Sequence, residues 1–193
     1  METLSDGVIA IAITLLVLEI SVPEGSLDHL GKAILHEWPS YMAYVTSFMT
    51  IGAAWFMHHA LFRRMKYVDG LIARVNLVFL MVVSFLPFPT KLLAESLRDV
   101  EAERVAVLFY GAILALMLLL MAGMCRYAAT HRELLHENVT STELDSLAGR
   151  IAPGVGMCVV VFALAIVAPR AAAFGFLIVA ATSVISAEAG ERE

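Results

Sequence analysis

Few side chains in this sequence can do chemistry, and they fall in three places. Ser5 and Asp6 open an apolar run that continues from Gly7 through Ile20. Trp55, His58, His59 and Phe62 recur at spacings of three, four and seven, the spacings of neighbours on a helix surface. Arg74 and Asn76 begin a third apolar run. A carboxylate and two imidazoles in such surroundings are costly unless they pair with one another or with other polar groups.

Four chemistries are open to these groups. A Ser/Asp/His hydrolase needs a nucleophile elbow and an oxyanion device, and neither is recognisable, so no enzyme activity is expected. A metal centre needs more ligands, because adjacent histidines on a helix point about 100° apart. Neither a metal nor a resident cofactor is therefore expected. A proton relay through Asp6, His58 and His59 would make the chain a secondary or proton-coupled ion transporter. The fourth chemistry is a buried structural brace. In it Asp6 and Ser5 bond to His58 or His59, with Trp55 and Asn76 close by.

The elements that must position these groups are membrane helices. The chain has 193 residues, 60% of them hydrophobic and only 16% charged, against about 45–50% apolar and about 25% charged in soluble domains. The formal charge of −5 argues against nucleic acid as a partner. A span needs about 20 mostly apolar residues. Six segments meet that length, at about 4–22, 39–63, 71–94, 104–128, 148–168 and 170–187. The fold class is thus an all-α membrane protein, one six-helix transmembrane domain over residues 1–193. Pro87 and Pro89 should kink the third segment. The polar stretch from Glu24 to Lys32 could hold a short surface helix. The first run lacks the basic n-region of a signal peptide and reads as the first span. Cys125 and Cys158 sit in apolar runs and read as small buried hydrophobes.

Lys and Arg placement sets orientation. With the N-terminus inside, eight of these residues fall on the cytoplasmic side and five outside. The densest cluster is Arg63-Arg64-Met65-Lys66. Both termini are then cytoplasmic in a prokaryotic cell membrane, and the sequon at Asn138 faces the cytoplasm. On this topology Asp6, the two histidines and Asn76 lie at one depth, near the cytoplasmic end.

The first helix is also patterned. Leu4, Gly7, Ile11, Thr14, Leu15, Leu18 and Val22 share a face at helical spacing. Asp6 lies about 140° from Ile11 around the axis, so it points away from that stripe. Glu19 lies about 80° from Ile11, near the outer mouth, where it could attract cations. Periodicity alone leaves the stripe's role open between lipid, core and pore.

The run from Leu4-Ser5-Asp6-Gly7 through Ala10-Ile11-Ala12-Ile13-Thr14-Leu15-Leu16 resembles the R-x-x-x-F-S-D-G-V/F-x-A-I-A-I-T-L-L signature. That signature belongs to the prokaryotic relatives of the endolysosomal potassium channel, the transmembrane protein 175 family. Trp55-Phe56-Met57-His58-His59 and the segment from Asn76 to Thr90 resemble that family too. The resemblance implies a six-helix subunit that assembles as a homotetramer in the lipid bilayer. Four first helices would line a potassium-preferring pore for monovalent cations. It implies a constriction at Ile11, further narrow rings at Leu15 and Leu18, and a polar layer at Thr14. No T-V-G-Y-G filter occurs in the chain. Two positions depart from the signature. Leu4 stands where the family has Phe, and the family's Arg, part of its polar network, would fall just ahead of Met1.

Overall fold

A computed structural model describes residues 1–21, 27–96 and 100–140, and positions 143, 149, 156, 160, 161, 163, 164, 172 and 175–182. Among the described residues the fold is all-helical, with no strand beyond an isolated bridge between Met65 and Leu135. Most of the fifth expected segment and half of the sixth lie outside the described residues, and so does Cys158.

Helix α1 covers Glu2–Leu15 and tightens into a 3₁₀ turn over Leu16–Glu19. The longer rise of the 3₁₀ turn carries these residues to about 29 Å, close to the ~30 Å hydrocarbon thickness of a bilayer. Ser5, Ile9, Ala12 and Leu16 form its buried stripe, each one turn from the next. The short α2, Leu30–His36, follows a single 3₁₀ turn at Leu27–His29 on the polar stretch.

Helix α3 runs over Trp38–Phe62 with Pro39 in its first turn, where a missing N–H costs nothing. It is of spanning length, but Thr46, Ser47 and His58 are buried along it and dilute its apolar character. Helix α4, Gly70–Phe85, begins at Asp69, whose Oδ1 accepts from the Leu71 and Ile72 amides at 3.2 and 2.8 Å. This is an N-cap that satisfies two of the helix's orphan donors. Helix α5, Pro87–Ser96, continues α4 past a break at Leu86. Pro87 has no N–H for the Val83 carbonyl, so the Leu86 amide takes that carbonyl at 3.2 Å instead. The break falls where Pro87 and Pro89 are expected to kink the chain.

Helix α6 is Val100–Thr130, with Glu101 and Glu103 in its first turn, where negative charge complements the helix dipole. Two runs among the described residues are long and apolar enough to cross a membrane. They are Gly70–Ser96, with mean hydropathy 2.1, and Glu101–Thr130, with 2.7.

The helices close on one core. Helix α1 packs against α3 and α4, and α6 against α4 and α5. Phe79, Leu61, Val83, Tyr110 and Met124 fill the centre, and Cys125 is buried there as a free thiol. Three hydroxyls join α3, α5 and α6 inside it. Ser47 lies 2.7 Å from the Thr90 hydroxyl and 2.9 Å from that of Tyr110, while Thr90 donates to the Leu86 carbonyl at 2.8 Å. Such pairing removes the penalty of burying polar groups in an apolar core. Farther along, Gly175 stands so close to Val161 that a Cβ there would meet its Cγ2 at 2.9 Å. A glycine is what lets these two segments touch.

Candidate functional site

The buried face of α1 carries a relay of hydrogen bonds into α3 and α4. Ser5 is fully enclosed, and its hydroxyl donates to the Met1 carbonyl at 3.2 Å. The Asn76 amide of α4 donates to Ser5 Oγ at 3.0 Å. The Asn76 side-chain carbonyl lies 2.8 Å from His58 Nε2. Because that carbonyl can only accept, Nε2 carries the hydrogen. His58 is itself wholly buried, stacked on Phe62 at 4.2 Å and on Phe79 at 5.6 Å between ring centroids.

A second set of contacts lies beside the first, at the half-buried edge of α1. The Trp55 indole donates to Asp6 Oδ1 at 2.8 Å. Trp55 also stacks on His59, with centroids 5.3 Å apart and planes 22° apart. His59 Nδ1 in turn lies 3.1 Å from Glu2 Oε1.

These contacts correct one expectation. Among the described residues neither Asp6 nor Ser5 hydrogen-bonds to a histidine. The two imidazoles diverge around α3, so His58 points inward to Asn76 while His59 points to the edge of α1. There Glu2, one turn before Asp6, reaches His59 first, and the Trp55 indole occupies Asp6. Glu2 is the residue sequence reasoning missed. Its signal was available, since positions 2 and 6 share a helix face.

The opposite face of α1 is exposed. Ile11 is 60% exposed, Leu15 41% and Leu18 71%, and Leu4, Gly7 and Thr14 are exposed beside them. The Thr14 hydroxyl donates to the Ile11 carbonyl at 2.8 Å. Its one hydrogen is thus committed to the helix, and its lone pairs face outward. Glu19 closes the far end of α1, where Lys91 Nζ lies 3.6 Å from its carboxylate. That neighbour offsets part of the negative charge expected to act there on its own.

Residues 1–87, which hold α1, α3, α4 and every group named above except Lys91, match the family described as the endosomal/lysosomal potassium channel TMEM175. A potassium channel of Chamaesiphon minutus is 40% identical over 169 residues, which span 86% of this chain and 83% of that one. This chain belongs to the TMEM175 family. A potassium channel of Streptomyces collinus is 47% identical over 122 residues, 61% of this chain and 58% of the relative. The endosomal/lysosomal proton channel TMEM175 of Danio rerio is 35% identical over 153 residues, and the chain spans only 28% of that longer protein. The TMEM175 likeness extends to the fold. The crystal structure of a lysosomal potassium-selective channel TMEM175 homolog from Chamaesiphon minutus superposes with a TM-score of 0.86 at 35% identity, covering 96% of this chain and 95% of that one. TMEM175 proteins are ion channels of membranes, not a class of enzyme.

Proposed function

We propose that this chain is a potassium-preferring cation channel of a prokaryotic cell membrane, a homotetramer with four copies of α1 around the pore. The observation that carries this reading is the division of α1 into two faces. Ser5, Ile9, Ala12 and Leu16 are buried against the subunit, while Leu4, Ile11, Thr14, Leu15 and Leu18 are left uncovered. The potassium-channel relatives support it. A single helix cannot enclose a pore, so its uncovered face needs copies of itself.

In such a pore Ile11, Leu15 and Leu18 form apolar rings. A narrow apolar ring excludes water and stops ions, and conduction requires it to widen and wet. Selectivity without a carbonyl filter then rests on the cost of stripping part of an ion's hydration shell. The Thr14 lone pairs replace some of the lost water contacts. Glu19 draws cations to the outer end, moderated by Lys91. The contacts through Ser5, Asp6, Trp55, His58, His59 and Asn76 hold α1 against α3 and α4 so that its other face stays in register with the axis. Both termini lie in the cytoplasm, following the Lys and Arg distribution. Potassium permeates without a resident cofactor.

The carrier alternative uses Asp6 and the two histidines to move protons. Against a relay that runs through both histidines, His58 is wholly buried, stacked on Phe62 and Phe79 and bonded to Asn76, a side chain that does not titrate. Asp6 accepts from the Trp55 indole, which does not titrate either.

Potassium flux into proteoliposomes tests the pore. Replacing the Ile11 ring by a wettable one, Ile11→Asn, should raise resting flux and erode preference for potassium over sodium. Unchanged flux and preference would remove Ile11 from the pore.

A further inference from the structure

Glu2, Asp6 and His59 bring two carboxylates and an imidazole together where α1 meets α3, and their donor atoms all lie within 4.8 Å of one another. We propose that these three residues form a binding site for a divalent transition metal of the zinc class, separate from the conduction path. Adjacent histidines alone cannot supply such a site. Helix packing brings the missing ligands from α1, where positions 2 and 6 stack one turn apart on the same face.

The donor set suits the ion. Zinc takes imidazole nitrogen at about 2.0–2.1 Å and carboxylate oxygen at about 2.0–2.2 Å in a tetrahedron. Ligands so placed sit about 3.4 Å from each other. His59 Nδ1 and Glu2 Oε1, at 3.1 Å, are already near that separation. Their approach has no directed hydrogen bond to explain it: His59 Nδ1 is shielded from solvent yet lacks a partner of hydrogen-bonding geometry. One donor atom from each carboxylate and one from the imidazole thus come close enough together for a single cation to be shared among them. Three protein ligands leave the fourth position for water.

The surroundings orient the ligands as outer partners of metal sites do. The Trp55 indole holds Asp6 through Oδ1, which leaves Oδ2 for an ion. The same indole stacks on the His59 ring and fixes its plane. Glu2 and His59 are only partly enclosed, with 42% and 25% of their side chains exposed, so an ion can enter. Arg74, the nearest cation in sequence to this end of α4, is engaged with the Gly70 carbonyl at 2.8 Å.

The test is isothermal titration of zinc chloride into the chelator-washed full chain in detergent, which reads binding independently of conduction. About one zinc per subunit is expected. Glu2→Gln and His59→Ala should abolish that binding, and Trp55→Phe, which keeps the stack but removes the N–H, should weaken it about 10-fold. Glu2→Gln preserves shape at a half-exposed position, and a melting curve checks that it folds. Wild-type protein that binds no zinc overturns the proposal. So does equal binding by wild type and Glu2→Gln, whatever the fate of His59→Ala.

Discussion

The Asn76 amide donates to the Ser5 hydroxyl across 3.0 Å, joining the first turn of α1 to the second turn of α4. The bond sets the direction of a whole chain of donors. His58 Nε2–H points to the Asn76 carbonyl, Asn76 Nδ2–H to Ser5, and Ser5 O–H to the Met1 carbonyl. His58, Asn76 and Ser5 are each buried, so each depends on the next. It fastens the rear of α1, while the front, from Leu4 to Leu18, is free to meet other copies.

Asn76→Ala removes both partners at once and strands the His58 Nε2–H and the Ser5 oxygen in the core. An unsatisfied buried group costs about 1–3 kcal/mol. The detergent-solubilised variant should melt at a clearly lower temperature, and its ion flux should fall because α1 loses its fixed rotation. Ser5→Ala, which strands only one Asn76 donor, should lose less. A variant Asn76→Ala with wild-type melting would mean that the chain of bonds does not hold α1.

The hydroxyl cluster predicts a second stability effect, at the junction of α3, α5 and α6. Thr90 spends its hydrogen on Leu86, so Ser47 donates to Thr90 and Tyr110 to Ser47. Ser47→Ala breaks this chain in the middle and leaves the Tyr110 hydroxyl without that acceptor. A loss of about 1 kcal/mol, the net worth of a typical hydrogen bond, is expected in unfolding by denaturant. Because the Ser47 side chain bonds to α5 and α6 rather than to α1, ion preference in the surviving channels should stay as in the wild type.

Asp69 gives the fold an acid dependence. The Ile72 amide it caps, then the Tyr127 hydroxyl at 2.7 Å, hold its carboxyl below the ordinary 3.8. A carboxylate whose folded value is depressed stabilises the fold above its ordinary value. That contribution is lost as pH falls through the folded value. Melting temperature should therefore drop as pH falls from about 5 to below about 3.8. Asp69→Asn keeps a capping oxygen but cannot titrate, so its acid-induced drop should be smaller. An identical pH profile in the variant would exclude Asp69 as a source.

The helical class was legible in the sequence because a bilayer imposes length and apolarity together, and the runs through α4–α5 and α6 satisfy both. The shared face of Leu4, Ile11, Thr14, Leu15 and Leu18 was legible because helix periodicity is fixed. The pairing at the rear of α1 was not. Whether Asp6 meets a histidine or Trp55 depends on the rotation of two helices about their own axes. An offset of one residue is about 100°, enough to exchange His58 for His59. Nor does spacing show that Lys91, seventy-two positions from Glu19 in the chain, comes to rest beside it. Such contacts follow from packing between distant segments, which periodicity within one helix does not encode.

The central claim is that four α1 helices enclose a cation-conducting path. Planar-bilayer recording of the purified chain, with potassium on one side and sodium on the other, addresses it most directly. Unitary current steps that reverse toward the potassium equilibrium potential are the predicted result. Saturable, proton-coupled flux without unitary steps would contradict it and place the chain among carriers.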